Sequence, residues 1–372
     1  MSYPLHKIVT ISDIHFGATD PKYMYDILQS QFLQRITPLD FDILAICGDT
    51  FDSKFMSNNP IVSYALTFID NLIQICRSKQ ATLIILDGTQ SHDNGQLKLF
   101  YHYLQDPSID LRIVEKIKFE EAQGMRILCI PERYGIPEEE YQNILFERGG
   151  YDLCLLHGTF KGSFKGSEIA TLNSTHAPVF SLASFCNCAG PILMGHYHIS
   201  GCYEGYAYYN GSPLRWKFGE EETKGFLVTL YDQVSRWHYT ELVPITSQTY
   251  ITININDLIK EDPHKIIEYI QRYRSEHHID YIRVQFNNMN ENMAVVKTYF
   301  RNNHEVTLQE MDRQTKQMET INKGIMEQQT QYSYIIDNEL DDYTKFVMYI
   351  NQNEGGEFIT VDELIHLLEE KV

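Results

Sequence analysis

The sequence predicts a layered α/β fold, and three observations predict it. Short apolar runs alternate with longer amphipathic stretches through the first 156 residues. From Pro191 to Leu242 the runs are short strands divided by turns, with no helices between them. The chain has 372 residues, enough for about two domains of roughly 150 residues and for a sizeable buried core.

The first strand is expected at Ile8–Ser12 and the first helix at Pro21–Ile36, opened by a proline that suits a helix N-terminus. A strand at Ile43–Cys47, a helix at Pro60–Cys76, a strand at Thr82–Leu86 and a helix at Gln96–Leu104 follow. Strands at Ile127–Ile130 and Asp152–Leu156 flank a helix at Pro137–Glu147. Strands at Pro191–Met194, Tyr206–Tyr209, Phe226–Tyr231 and Trp237–Leu242 complete the first domain, residues 1–242, with antiparallel additions. Beyond Val243-Pro244 the pattern becomes strand (Tyr250–Ile255), helix (Pro263–Arg274), strand (Tyr281–Phe286), a small α/β domain over residues 243–310. Residues 311–336 are rich in Gln, Met, Lys and Glu and read as a linker. Residues 337–372 hold two amphipathic helices, Leu340–Asn351 and Val361–Glu370, the second opened by a Thr360/Glu363 capping box.

The net charge of −19 argues against coating nucleic acid by bulk electrostatics, while leaving room for a local DNA site. Residues 337–372 carry ten acids and two bases, a surface suited to a basic partner. No apolar run reaches the roughly 18–20 residues of a membrane span, and the N-terminus shows no signal-peptide core. The seven cysteines form no framework, which points to a reducing, cytoplasmic setting: bacterial, or the host cytoplasm for a viral protein.

Chemistry is signalled by acids and histidines at strand ends. Asp13-Ile14-His15 follows the first strand and Gly48-Asp49 the second, with Asp52 three residues on. Ser91-His92-Asp93 lies beyond the third strand, His157-Gly158 follows another, and Gly195-His196-Tyr197-His198 follows the next. Ligands of α/β folds gather at the carboxyl ends of strands. Alternate residues of an extended chain share a face, which pairs Asp13 with His15 and His196 with His198. Carboxylates and imidazoles without thiolate suit Mn(II), Fe or Zn in a catalytic site and exclude a thiolate zinc cage. An aspartate shared by two ions about 3.5–4 Å apart is the arrangement that hydrolyses phosphate esters.

In order, Asp-x-His, Gly-Asp, His-Asp, His-Gly and Gly-His-x-His resemble the signature of calcineurin-like metallophosphoesterases over about residues 7–200. Tyr209-Asn210-Gly211-Ser212-Pro213-Leu214-Arg215, Phe218-Gly219-Glu220-Glu221-Glu222 and Lys224-Gly225-Phe226 resemble the end of the catalytic domain in SbcD-type DNA repair nucleases, bacterial and phage relatives of the meiotic-recombination nuclease. The resemblance implies a four-layer αββα sandwich with a small α/β capping domain and C-terminal helices. It implies a two-metal, Mn(II)-dependent phosphodiesterase with DNA exo- and endonuclease activity in double-strand-break repair and recombination. Its partners would be DNA, a second copy of the chain, and an SbcC-like coiled-coil ATPase docked on the C-terminal helices, with no membrane. The alternative is a metallophosphoesterase acting on small-molecule or protein phosphate esters.

Carried over by residue, one metal would be held by Asp13, His15, Asp49 and His198, and the other by Asp49, His157 and His196. His92 would be the catalytic histidine and Asp93 would orient it. The family's pattern places an asparagine ligand before that histidine, where this chain has Ser91; Gln90, or Thr89, could serve instead. Lys161 and Lys165, in a Gly/Lys-rich loop, and Arg215 and Lys217 are candidates for contact with a DNA backbone.

Overall fold

The computed structural model describes residues 5–136, 138–146, 149–160 and 179–311. Lys161, Lys165 and residues 312–372, which include most of the expected linker and both C-terminal helices, lie outside them. Packing divides the chain into two units. Among the described residues, the first comprises those through Ile253 with Tyr269–Arg283 and Asn303–Thr307; the second comprises Asn254–Glu268, Val284–Asn302 and residues 308–311.

The first unit is an α/β sandwich of two six-stranded sheets. Its leading strands are β1 (Leu5–Ile11), β2 (Ile43–Cys47), β3 (Thr82–Leu86) and β4 (Leu111–Val114), parallel to one another. Strands β13 (Lys224–Asp232) and β14 (His238–Ile245) extend this sheet antiparallel, giving the order β14-β13-β1-β2-β3-β4. The second sheet is built from β5 (Lys118–Ala122), β6 (Met125–Ile130), β7 (Leu153–His157), β10 (Ile192–Gly195), β11 (Gly201–Tyr203) and β12 (Ala207–Tyr209), in the order β11-β12-β10-β7-β6-β5. A short parallel pair, β8 (Thr159–Phe160) and β9 (Val179–Phe180), stands apart from both sheets.

Side chains alternate across a strand, so each sheet serves two layers. Ile8, Ile43, Ala45 and Ile84 of the first sheet are buried against Ile127, Cys129, Leu153, Leu155 and Leu193 of the second. The opposite face of the first sheet, with Val9, Leu44, Ile46 and Leu83, packs on helices α1 (Pro21–Leu28) and α2 (Pro60–Lys79) through Met24, Leu28, Phe68 and Leu72. The far face of the second sheet, with Leu128, Cys154, Leu156 and Ile192, packs on Tyr141 and Leu145 of α3 (Glu138–Leu145). Four layers result, in the order helix, sheet, sheet, helix.

Sequence chemistry fixes the helix starts. Asp20 accepts the backbone N–H of Tyr23 at 2.7 Å and Asn59 that of Ile61 at 2.9 Å, and each cap is followed by a proline. The expected helix after β3 is instead a 3₁₀ helix, Gln96–Gln105. Strands β4, β5 and β11 went unforeseen because each is three to five residues long and only partly buried.

A three-stranded sheet has the order β15-β16-β17, from Tyr250–Asn254, Tyr281–Phe286 and Val306–Glu310. Helices α4 (Pro263–Glu276) and α5 (Glu291–Tyr299) lie in its connections. Ile255, Ile266, Ile267, Val284, Phe286, Met293, Val296 and Phe300 are buried apolar residues of the second unit. Among the described residues, no helix is long and apolar enough to cross a membrane.

Candidate metal centre

Chain segments just past the strand ends converge. After β1 and β2 the backbone keeps pairing outside the sheet: Asp13 N–H donates to Gly48 O, His15 N–H to Asp49 O and Phe16 N–H to Thr50 O, at 3.1, 3.0 and 2.9 Å. This holds Asp13 and His15 beside Asp49. Asp13, His15, Asp49 and His196 all have positive φ, at 50°, 51°, 51° and 107°. Non-glycine residues are held so at a cost of about 1–3 kcal/mol each, and such strain concentrates at functional sites.

Four groups of side chains could each hold a metal ion: Asp13/His15/His198, His15/Asp49/His92, Glu132/His157/His196 and Asp13/Asp49/His157. Asp49 belongs to two of them. Its Oδ2 lies 3.6 Å from His15 Nε2 and 3.3 Å from His157 Nε2, between the two ends of the constellation. His15 Nε2 and His198 Nε2 stand 3.2 Å apart, two imidazole nitrogens aimed at one region.

Backbone and carboxylate groups select the nitrogen that each ring presents. His157 Nδ1–H donates to Cys47 O at 2.7 Å, which leaves Nε2 facing Asp49. The His157 ring lies between two glycines: a Cβ on Gly48 would sit 2.2 Å from its Nδ1, and one on Gly195 would sit 2.9 Å from it and 2.3 Å from Cys47 O. His92 Nδ1–H donates to Asp52 O at 2.5 Å. His198 Nδ1 lies 3.1 Å from the buried carboxylate of Glu220.

The electrostatics favour a cation. Burial alone would lower the pKa of His157, yet Asp49, with Asp13 and Glu132, raises it well above its ordinary value. Burial likewise opposes ionisation of Asp49 and Glu132, but facing imidazoles hold both carboxyls below the usual range: His157 and His15 for Asp49, His196 and His157 for Glu132. Three buried atoms at this place, His15 Nδ1, Glu132 Oε1 and His196 Nδ1, have no hydrogen-bond partner among the described residues. Carboxylate and imidazole donors around such orphaned atoms fit divalent metals of the Mn, Fe or Zn type.

The structure thus brings Asp13, His15, Asp49, His92, His157, His196 and His198 together. Other expected roles differ. Asp93 does not orient His92: it is fully buried, its two oxygens accept the N–H groups of Phe51 and Gly88 at 2.9 and 2.8 Å, and the Asp52 carbonyl holds the ring. Burial, reinforced by Asp49, pushes the Asp93 carboxyl up to about 8. Ser91 and Gln90 are exposed and join no ligand group. The hydroxyl at this position is that of Thr89, whose Oγ1 lies 3.2 Å from Asp49 Oδ2, 3.3 Å from His157 Nε2 and 3.4 Å from Glu132 Oε2. Arg215 spends its guanidinium on the carbonyls of Glu221 and Glu222, and Lys217 lies 3.8 Å from Glu220.

Sequence reasoning missed Glu132. It follows β6 by two residues, the same signal that marked Asp13 after β1, but no histidine accompanies it.

Comparison with known proteins agrees with the chemistry of the centre. Over 268 residues the chain is 24% identical to a protein of Invertebrate iridescent virus 6 named "Putative phosphoesterase 244L", covering 68% of this chain and 86% of that protein. No family model matches the chain. Among solved structures, the cold-active protein-tyrosine phosphatase of a psychrophile Shewanella sp. is 14% identical, with 64% of this chain and 81% of that one covered and a TM-score of 0.29. A mutant cold-active protein tyrosine phosphatase is 15% identical over the same shares, with a TM-score of 0.30. Scores this low carry no argument about architecture or function.

Proposed function

We propose that this protein is a two-metal phosphoesterase whose substrate is a phosphodiester of DNA. The observation that carries the reading is the position of Asp49 between His15 and His157, with imidazoles from both sheets around it. The viral relative bears a phosphoesterase name, which supports phosphoester hydrolysis. The stretch from Tyr209 to Phe226, which resembles SbcD-type nucleases, supports DNA as the substrate and Mn(II) as the metal.

Asp13, His15, Asp49 and His198 would hold one ion, and Asp49, His157 and His196 the other. Divalent ions bound there supply Lewis acidity toward a phosphoryl oxygen and acidify water. The protein's own groups do the rest. Asp49 fixes the spacing of the two pockets. The Cys47 carbonyl and the Glu220 carboxylate hold His157 and His198 in the tautomers that present Nε2. His92, with Nδ1–H held by Asp52 O and its ring 4.5 Å from that of His15, presents Nε2 to the reacting phosphate and protonates the leaving oxygen.

Residues 337–372, with a net charge of −8, would form the docking segment for an SbcC-like coiled-coil ATPase, and two copies of the chain would work together on a break.

The test is digestion of linear duplex DNA with Mn(II), with and without chelator, beside a simple aryl phosphate monoester and diester. Chelator-sensitive cleavage of DNA and of the aryl diester supports the reading. Cleavage of the monoester alone would favour a phosphatase for small molecules or proteins instead.

A further inference from the structure

We infer that Glu132 is a direct ligand of the second metal pocket and completes it as a site of two carboxylates, two imidazoles and a hydroxyl. The inference rests on the two-metal reading above and extends it to a residue that the sequence signature does not contain.

Glu132 is 2% exposed, and such a carboxylate needs a strong partner to offset its desolvation. No lysine or arginine supplies one among its described contacts. Its Oε2 lies 3.0 Å from His196 Nδ1, 3.7 Å from His157 Nε2 and 3.4 Å from Thr89 Oγ1. The closest of these pairs is not aligned as a hydrogen bond, since His196 Nδ1 has no hydrogen-bond partner among the described residues, and neither does Glu132 Oε1. A carboxylate and an imidazole nitrogen this close, with that nitrogen and the second carboxylate oxygen each lacking an aligned hydrogen bond, point at a common third body. The donor set selects a cation, and Glu132, His157 and His196 can reach one ion together.

The consequence concerns charge. A neutral amide or hydroxyl would leave the second pocket with the shared Asp49 alone, whereas Glu132 adds a full negative charge. The two pockets should therefore hold their ions with similar strength. Three ligand carboxylates, Asp13, Asp49 and Glu132, against two dications leave about one positive charge, which a phosphodiester monoanion neutralises.

The test is Mn(II) titration of the full chain by calorimetry, with the exchange coupling of the Mn pair followed by electron paramagnetic resonance. Wild type should take up two ions in one step and show a coupled spectrum. Glu132→Gln should weaken one ion by about tenfold or more and uncouple the spectrum at stoichiometric metal; Glu132→Ala should weaken it further. Circular dichroism confirms that each variant is folded, and Glu132→Asp, which keeps the charge, should hold more metal than Glu132→Gln. Two tight, coupled ions in Glu132→Gln would overturn the assignment. A wild type that binds two ions but hydrolyses no phosphoester would sink the functional reading and leave the ligand assignment standing.

Discussion

The Glu220 carboxylate lies 3.1 Å from His198 Nδ1, and this contact decides which face of the imidazole meets the metal pocket. Glu220 is itself fixed, since its Oε2 accepts the Trp216 N–H at 3.1 Å. Burial opposes its ionisation, but His198 and Lys224 hold its carboxyl below the ordinary value. Lys224, 1% exposed, donates from Nζ to the His198 carbonyl at 2.8 Å, so one histidine is gripped at ring and backbone.

Removing that grip should weaken metal binding without emptying the site. Glu220→Gln is expected to lower the affinity of one Mn(II) ion about 10–100-fold while thermal stability falls little. Calorimetric titration reads this directly. Wild-type affinity in the variant would confine Glu220 to holding the turn at Trp216.

Asp49→Asn removes the charge between His15 and His157 while keeping the side chain's shape. The expected outcome is a folded protein with no measurable Mn(II)-dependent hydrolysis of the aryl diester. Near-normal turnover would defeat the two-metal reading, because Asp49 Oδ2 stands 3.6 Å from His15 Nε2 and 3.3 Å from His157 Nε2, between the two pockets.

His92→Ala should separate chemistry from binding. Metal stoichiometry should stay at two, with kcat lowered about 10²–10⁴-fold and KM changed far less. Loss of an ion in this variant would make His92 a ligand, in company with His15 and Asp49.

Gly195→Ala should act through packing. The new methyl would fall 2.3 Å from Cys47 O, in β2, and 2.7 Å from Ser12 Cβ, just past β1. Overpacking of this kind costs about 1–3 kcal/mol, so the melting temperature should drop by several degrees. An unchanged melting temperature would show that the strand ends can part.

The proposed docking segment is tested by a chain ending at Tyr334. Metal-dependent cleavage of short DNA should persist, while co-purification with the coiled-coil ATPase is lost. Undiminished co-purification would refute the assignment.

Much of this centre could be read from the sequence because its ligands lie at fixed short distances beyond strands that are themselves plain. Asp13, Asp49, His157 and His196 each follow an apolar run within two residues. Loops broke the reading. Thr89, Gln90 and Ser91 are consecutive, and no periodicity says which of them turns inward; a backbone bond from Thr89 N–H to Asp49 Oδ1 at 2.6 Å decides it. Asp93 follows His92 directly, yet the Phe51 and Gly88 amides claim it. Glu132 stayed hidden because its partners are 25 and 64 residues away in sequence, at His157 and His196. The α5 helix and β17 also went unread, since the apolar residues of Glu291–Tyr299 are not gathered on one helical face and Val306–Glu310 holds just Val306 and Leu308 as apolar residues.

The candidate ligands divide between the two sheets. Asp13, His15 and Asp49 extend β1 and β2, while Glu132, His157, His196 and His198 extend β6, β7 and β10. Between these sheets the packing is mainly apolar, with a few hydrogen bonds such as that from His157 Nδ1–H to Cys47 O at the site end, and dispersion resists sliding weakly in any one direction. Ions coordinated from both sides would act as rivets across that seam. Shearing one sheet past the other would then break directional bonds, and the free energy of metal binding would count toward resistance to unfolding. A centre loaded in this way would also be the fastening that keeps the two halves of the sandwich in register.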